Sequence, residues 1–519
     1  MKRLLIGCAV SLVCGTAFAD VKLMGIFTDN MVLQRGKPVP VRGAAAPGEA
    51  VSVAYAGKTA KATAGADGWF SAVLPPLDVE KTGKELVVKG RNRIVLKNVV
   101  VGDVWLVSGQ SNAEMSFGWG ILNGAAEMAK AKDYPNVRAI KFSRATSFFP
   151  VRRRACNDGP WKVATEKTLP KITAVGYFMA RELNAKTGVP IGILDNNWSG
   201  CFIEPFICEE GLRTVPSLKG VADSLVKERA RMIAWCGKVA AMKEGDSFGN
   251  LPPMPSAPFW TRQHNAMIEP LVDFPICGAV WYQGCANTYD GIHRGYAPKL
   301  KALVAGWRAK WGYDFPFYIV QLASFRAKTT DPAGGGGFAG VRNEQLLAAK
   351  SIPNTGLAVA IDIGNAKDIH PKNKYDVGYR LSLWARRDVY GEKDLVVSGP
   401  IYRELKVEGD KARVVFEHVG SGLFAGEKGP DTPGVMPTAT PDGKLRGFAI
   451  AGADKKWFWA DAVIDGDTVV VSAKDVPAPV FEGAHIVIDV PPGGEEYSLS
   501  FVTARDESMS VRSVLHFKS

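Results

Sequence analysis

Between Val21 and about Val99, apolar positions fall in short alternating runs broken by turn residues: Val39-Pro40-Val41-Arg42, then Ala46-Pro47-Gly48, then Val51-Ser52-Val53-Ala54-Tyr55. Asp67-Gly68 precedes a further run, Trp69 to Leu74. Runs this short, closely spaced and without helical periodicity predict a small all-β domain over residues 20–98. The pattern changes at Val100 to Val107, a nearly unbroken apolar run of the kind needed by a strand covered on both faces. Val175, Phe178, Met179 and Leu183 then recur at helical spacing, and Gly188 and Pro190 supply a stop. Apolar runs at Ile191 to Leu194, Gly278 to Tyr282, Phe317 to Leu322 and Leu357 to Ile363 alternate with helical stretches at Ala297 to Lys310 and Val341 to Lys350. For residues 99–395 this alternation predicts an α/β fold, a parallel sheet with helices on both faces. After Ser398-Gly399-Pro400 alternating runs return, as in Ala412 to Phe416 and Val469 to Val471, and predict a β-rich C-terminal domain over 396–519.

The first nineteen residues read differently. Lys2 and Arg3 precede an apolar stretch from Leu4 to Val13, and Ala17-Phe18-Ala19 forms a small–x–small cleavage signal before Asp20. Residues 1–19 are therefore predicted to be a signal peptide, and the protein to be exported, periplasmic or secreted. No later apolar run approaches about 20 residues, so no membrane attachment is expected after cleavage. The formal charge is +12 over 519 residues, with the basic residues scattered. Their one dense cluster, Arg152-Arg153-Arg154, reads as a solvated loop rather than a nucleic-acid groove. Beyond the signal lie Cys156, Cys201, Cys208, Cys236, Cys277 and Cys285, without a CxxC pair, and no HExxH helix occurs. Neither a metal nor a cofactor is expected.

Ligands of open parallel sheets sit at the carboxyl ends of the strands, so the segments after the apolar runs carry the chemistry. The first run delivers Ser108-Gly109-Gln110-Ser111-Asn112. A serine there, on a tight turn leading into a helix, is placed as a nucleophile, though it also suits a plain N-cap. Ala113 stands where a GxSxG elbow would have its second glycine, which disfavours a lipase-type hydrolase. The second run delivers Asn196-Asn197-Trp198-Ser199-Gly200, whose glycine can turn a backbone N–H toward an oxyanion or simply make a turn. The third delivers Gln283-Gly284-Cys285-Ala286-Asn287, where the asparagine N–H₂ can donate to the same oxygen or form an Asx-turn. For a base, His418, His485 and His516 fall in the last domain, and His264 and His293 in loop-like stretches without a preceding strand. His370 follows a predicted strand and has Asp368 two residues before it to orient the imidazole, so it is favoured over His264. Gly335 to Gly340 matches GxGxxG, but no strand precedes it, so a loop over the site is expected rather than a dinucleotide fold.

Ser111, Gly200, Asn287 and His370 thus follow four separate predicted strands in the order Ser, Gly, Asn, His. The chain resembles the SGNH hydrolases, and specifically the sialate O-acetylesterase family. The resemblance rests on Met31-Val32-Leu33-Gln34-Arg35, Gly102-Asp103-Val104-Trp105 through Ser111-Asn112, Val189-Pro190-Ile191-Gly192, Trp281-Tyr282-Gln283-Gly284, Val320-Gln321-Leu322, and Asp368-Ile369-His370-Pro371-Lys372-Asn373-Lys374. It spans residues 24 to 390 and weakens after residue 400. The resemblance implies a three-layer α/β/α hydrolase domain with flanking β-sandwich-like domains. It also implies Ser111 as nucleophile, His370 as base and then acid, and an oxyanion hole of the Ser111 and Gly200 N–H groups with the Asn287 side chain. Gln110 and Gln283 are implied as substrate contacts. Asp368 is the implied orienting carboxylate, with Asp362 or a backbone carbonyl as alternatives, because the SGNH spacing of Asp three before His falls here on Lys367.

The implied substrate is an O-acetylated sialic acid, or another acetylated glycan such as xylan. Trp119, Arg152 to Arg154 and the Gly334 to Gly337 stretch belong to loops expected near the sugar. A carbohydrate-binding protein around an inactive core is the non-enzymatic rival. Departures from the family pattern are Cys285-Ala286 for a common Glu-Ser, Ser199 for a glycine, and Asn365 for an aspartate. Convergence of Gly200 and Asn287 on one oxygen would bring Cys201 and Cys285 close enough for a disulfide.

Overall fold

The computed structural model describes residues 20–476 apart from 154–156, 244–250, 257, 290–294, 327–329, 334–336, 436 and 455, together with the short strand His516–Phe517. The expected signal peptide, Arg154, Cys156, His293, His485 and the glycines 334–336 lie outside the described residues.

One long strand organises the architecture. Arg93–Gly109 (β1) pairs through its first part with Glu80–Lys89, antiparallel, and with Val32–Gln34, parallel. Its second part runs parallel to Ile191–Asn197 and to Gly278–Tyr282. The sequence marks the change: up to Asn98 only Leu96 is buried, and every residue from Val99 to Gly109 is buried. The boundary expected at residues 98–99 therefore falls inside a continuous strand, and one core of buried side chains runs from Val21 to Val397.

The other strands of the inner sheet are Val137–Lys141 (β2), Ile191–Asn197 (β3), Gly278–Tyr282 (β4), Phe317–Val320 (β5) and Thr355–Ala358 (β6). They lie parallel in the order β2-β3-β1-β4-β5-β6, with Lys162–Val163 antiparallel on the β2 edge. The strand expected over Leu357 to Ile363 ends early at Ala358, and Ile361–Ile363 forms a 3₁₀ turn. Arg380 accounts for the shortening, because it donates to the Val359 carbonyl at 2.6 Å and pairs with Asp362. The connecting helices include Ser111–Glu114 (α1), Ala174–Thr187 (α2), Tyr296–Trp311 (α3), Gly337–Ser351 (α4) and Tyr375–Asp388 (α5). Helix α2 begins where the Thr173 hydroxyl accepts the Gly176 N–H and ends at Gly188 with φ +66°. It packs on β3 and α5, while α3 packs on α4.

The sequence motifs meet in this frame. Asp103, buried in β1, accepts from Gln34 Nε2 at 3.0 Å, Arg35 Nε and Nη2 at 2.9 Å each, and the Tyr390 hydroxyl at 2.7 Å. Beyond residue 400, Ile401–Glu408, Lys411–Glu417, Thr468–Ser472, Trp457–Asp465 and Phe448–Ala451 form a five-stranded antiparallel sheet in that spatial order. It has a separate small core around Leu405, Val414, Phe448 and Val469. Lys428 and the Gly434 N–H from this part of the chain both reach Asp376 at the start of α5.

Candidate active site

Strands β3, β1 and β4 are neighbours, and they end at Asn197, Gly109 and Tyr282 on one edge of the sheet. Gly109 has φ +145°, and a Cβ there would stand 2.2 Å from the Tyr282 carbonyl oxygen, so the close approach of β1 and β4 requires glycine. Gln110 then donates its N–H to that same carbonyl at 3.0 Å, and Ser111 opens α1. From β3, the Trp198 N–H donates to the Gly109 carbonyl at 2.9 Å, and the turn reaches Gly200 with φ +73°. Among the described residues the N–H groups of Ser111 and Gly200 have no acceptor.

His370 arrives from the loop after β6, and its Nε2 lies 2.8 Å from Ser111 Oγ. With the hydroxyl donating to Nε2, the ring proton sits on Nδ1, which is 3.4 Å from Asp368 Oδ1. The same Asp368 oxygen accepts the His370 backbone N–H at 2.9 Å. Asp362 is committed elsewhere, to Arg380. The imidazole is held from two further sides. Trp119 meets it edge-on at 5.8 Å between ring centroids, and the Asn112 side chain donates to the Ile369 carbonyl at 3.0 Å. Asn112 in turn accepts from the fully buried Lys374 ammonium at 2.5 Å. Burial and the Lys374 charge hold the His370 pKa below its ordinary value against the opposing pull of Asp368. A neutral imidazole facing a serine hydroxyl can take its proton.

Asn287 is completely buried. Its oxygen accepts from the Ile203 N–H at 3.2 Å and Gln283 Nε2 at 2.8 Å, and its Nδ2 lies 3.2 and 3.1 Å from the two oxygens of Glu204. Lys299 balances that carboxylate at 2.7 Å.

A carbohydrate acetylesterase from Xanthomonas citri, of known structure, is 36% identical, with a TM-score of 0.72 over 89% of this chain and 93% of its own. The sialate O-acetylesterase of Mus musculus is 30% identical over 336 residues, and that of Homo sapiens 27% identical over 416 residues. The chain belongs to the sialate O-acetylesterase family. It spans 60% of the length of the mouse relative and 73% of the human one. No family model matches it.

Two residues expected against the substrate in this sialate O-acetylesterase relative are placed elsewhere. Gln110 is buried, and its side-chain oxygen accepts the N–H groups of Gly284 at 3.0 Å and Ala286 at 3.4 Å. Gln283 is buried too, donating to the Cys201 carbonyl at 2.9 Å and accepting the Tyr296 hydroxyl at 2.6 Å. Both amides brace the loops under the site, where their polar atoms would otherwise be buried unpaired. The Cys201–Cys285 disulfide is likewise absent, and both thiols are free. Cys201 turns its sulfur toward the Gly109 carbonyl, at 3.6 Å, which directs it under β1. His264 is enclosed next to Glu269, and burial pushes its pKa down to about 4. Arg152 pairs with Glu269 at 2.7 Å and Arg153 with Asp67, so both are held by carboxylates.

Several residues of the site have roles that only the fold assigns. Glu114 accepts both the N–H and the hydroxyl of Ser199, at 2.9 and 2.6 Å. Glu204 and Lys299 sit behind Asn287, and Lys374 behind Asn112. The i, i+3 relation of Ser111 and Glu114 on one short helix was the available signal. Among the described residues no group of three His, Cys, Asp or Glu side chains could hold a metal ion, and no helix is long and apolar enough to cross a membrane.

Proposed function

We propose that the protein is an exported serine esterase that removes acetyl groups from O-acetylated sugars, with O-acetylated sialic acid as the substrate. The observation that carries this reading is the 2.8 Å contact between His370 Nε2 and Ser111 Oγ at the carboxyl edge of the sheet. His370 takes the Ser111 proton as Oγ attacks the acetyl carbonyl carbon, and the carbonyl electron pair moves onto oxygen. The N–H groups of Ser111 and Gly200, both without an internal acceptor among the described residues, receive that oxyanion. Asn287 joins them. The two oxygens of one carboxylate subtend an angle much narrower than the spread of the two amide N–H bonds, so one N–H serves Glu204 and leaves the second for the substrate. Collapse of the tetrahedral adduct breaks the bond to the sugar oxygen, which takes its proton from His370. Water, deprotonated by the same imidazole, then releases acetate from Ser111. Asp368 orients His370 through its Nδ1 contact, and Trp119, 43% exposed beside the imidazole, offers a face to the sugar ring. Export rests on the charged, apolar and small-residue pattern of the first nineteen residues.

The Xanthomonas citri relative, a carbohydrate acetylesterase that aligns over nearly its whole length, favours a second reading in which the acetyl group sits on another glycan. Acetate release from O-acetylated sialic acid and from acetylated xylan, with wild type and Ser111→Ala in parallel, separates the two. Release from sialic acid that disappears in the variant supports the first reading. Release from xylan alone selects the second, and equal release by both proteins rejects Ser111 as nucleophile.

A further inference from the structure

We propose that Glu114 is a positioning residue that holds the Ser199–Gly200 turn in register with Ser111, so that the Gly200 N–H converges with the Ser111 N–H on the substrate carbonyl oxygen. The inference rests on the serine-esterase reading and adds to it the device that assembles the oxyanion hole.

Ser111 and Glu114 belong to one four-residue helix whose first turn is closed by the Ala113 and Glu114 N–H groups, both donating to the Gln110 carbonyl at 2.9 Å. The nucleophile and the carboxylate therefore move as one body. A single oxygen of Glu114, Oε2, accepts the Ser199 N–H at 2.9 Å and its hydroxyl at 2.6 Å. Both bonds are charge-assisted, and they fix the backbone and side chain of Ser199 together. The Gly200 N–H lies in the Ser199–Gly200 peptide, so whatever fixes Ser199 also aims that N–H. Gly200 itself is not packed in place, since a Cβ there would meet nothing within 4 Å. The residues on either side are tied down by the Trp198 N–H on the Gly109 carbonyl at 2.9 Å, the Cys201 N–H on the Trp198 carbonyl at 3.1 Å and Gln283 on the Cys201 carbonyl at 2.9 Å, and Glu114 adds the two bonds at Ser199, next to the Gly200 N–H.

A carboxylate beside a developing oxyanion would oppose it. Arg144 cancels that charge, because its Nη2 lies 2.8 and 2.7 Å from the two Glu114 oxygens. Hydrogen bonds from Ser199 and Arg144 outweigh burial and keep the Glu114 carboxyl below its ordinary pKa, so it stays ionised as an acceptor.

The test measures acetate release and inhibition by phenylboronic acid in wild type, Ser111→Ala, Glu114→Gln and Ser199→Ala. The boronate adds to Ser111 Oγ, and a boron hydroxyl of the adduct occupies the oxyanion position. Glu114→Gln is expected to lower kcat about ten- to a hundred-fold with KM nearly unchanged, and to weaken boronate inhibition by the same factor as kcat/KM. A merely structural role would reduce the fraction of active molecules and leave the boronate inhibition constant unmoved, which would overturn the inference. Should Glu114→Gln fail to fold, Ser199→Ala removes one of the two bonds. It is expected to weaken boronate inhibition about two- to five-fold, and an unchanged constant overturns the inference here too. Wild-type release by Ser111→Ala would instead remove the esterase reading itself, whereas an inactive Ser111→Ala beside a wild-type Glu114→Gln overturns this inference alone.

Discussion

The Lys374 ammonium, fully buried beside His370, donates to Asn112 Oδ1 at 2.5 Å and stands 5.4 Å from the centre of the Tyr282 ring. Burial pushes its pKa down to about 7, so around neutral pH it carries a partial charge, and among the described residues no carboxylate is bonded to it. The charged groups facing His370 are this lysine, Lys372 and Asp368. Lys374 acts in the direction that keeps the imidazole neutral.

That relationship sets a pH dependence. His370 must be neutral to accept the Ser111 proton, so activity falls on the acid side as the ring protonates. A nearby cation lowers the pKa and extends activity to lower pH. Lys374→Met removes the cation, and the acid limb of kcat/KM is expected to move to higher pH, with a loss of about tenfold in rate from the freed Asn112. A pH–rate profile checks the shift, and a limb that stays in place counts against Lys374 as its source.

Asp368 and Asp362 are separated by a pair of neutral substitutions. Asp368 is 41% exposed and 3.4 Å from His370 Nδ1, while Asp362 is buried against Arg380. Asp368→Asn is expected to lower kcat about ten- to a hundred-fold and to move the acid limb to lower pH, because the charge that raises the His370 pKa is gone. Asp362→Asn removes the carboxylate charge from the Arg380 ion pair, so it is expected to lower the melting temperature and leave the position of the acid limb unchanged. Steady-state kinetics across pH, with thermal unfolding of both variants, distinguishes them.

Asn287 supplies a third outcome. Asn287→Ala removes the amide donor to the oxyanion and is expected to reduce kcat about a hundred-fold with little change in KM. Kinetics on a soluble acetyl ester test this, and a purely KM effect would place Asn287 outside the transition state.

The meeting of Ser111 and His370 at one edge of the sheet was legible in the sequence, because each follows an apolar run whose end must lie there. Glu114 was not, because its partner Ser199 lies 85 positions away and only the fold brings them together. Strand β2 is not legible in the sequence because Arg138 interrupts its apolar run, and that arginine is buried with its guanidinium donating to the Asn30 carbonyl at 3.2 Å, to the Asn98 carbonyl and to the Asn98 and Asn136 side chains. The 22-residue helix Lys219–Ala240 was missed because Ala222, Leu225 and Met232 alone are buried along it, too few to set a period. The proposed disulfide failed on a different point. Neighbouring backbones do not fix side-chain direction, and Cys201 faces down onto β1.

The cluster around Asp103 joins the two ends of the family motif pattern and gives the last prediction. Asp103 is 1% exposed, and Gln34, Arg35 and Tyr390, from residues as far as 287 positions apart, all donate to its carboxylate. Removing an acceptor shared by three donors leaves Arg35 partly buried without its counter-charge and Gln34 without one of its acceptors. The cost of stranding such partners is about 3 kcal/mol, well above that of an exposed ion pair. Asp103 lies in β1 six residues before Gly109, in the stretch where both faces of the strand are covered, so its loss loosens the join between the outer and inner parts of that strand. Asp103→Ala is therefore expected to lower unfolding stability by about 3 kcal/mol, while the folded fraction keeps a wild-type acid limb because His370 is not among its partners. Urea unfolding followed by Trp fluorescence, paired with the pH–rate profile, reads both quantities. A loss below about 1 kcal/mol would mean that the cluster behaves as a solvent-screened surface pair.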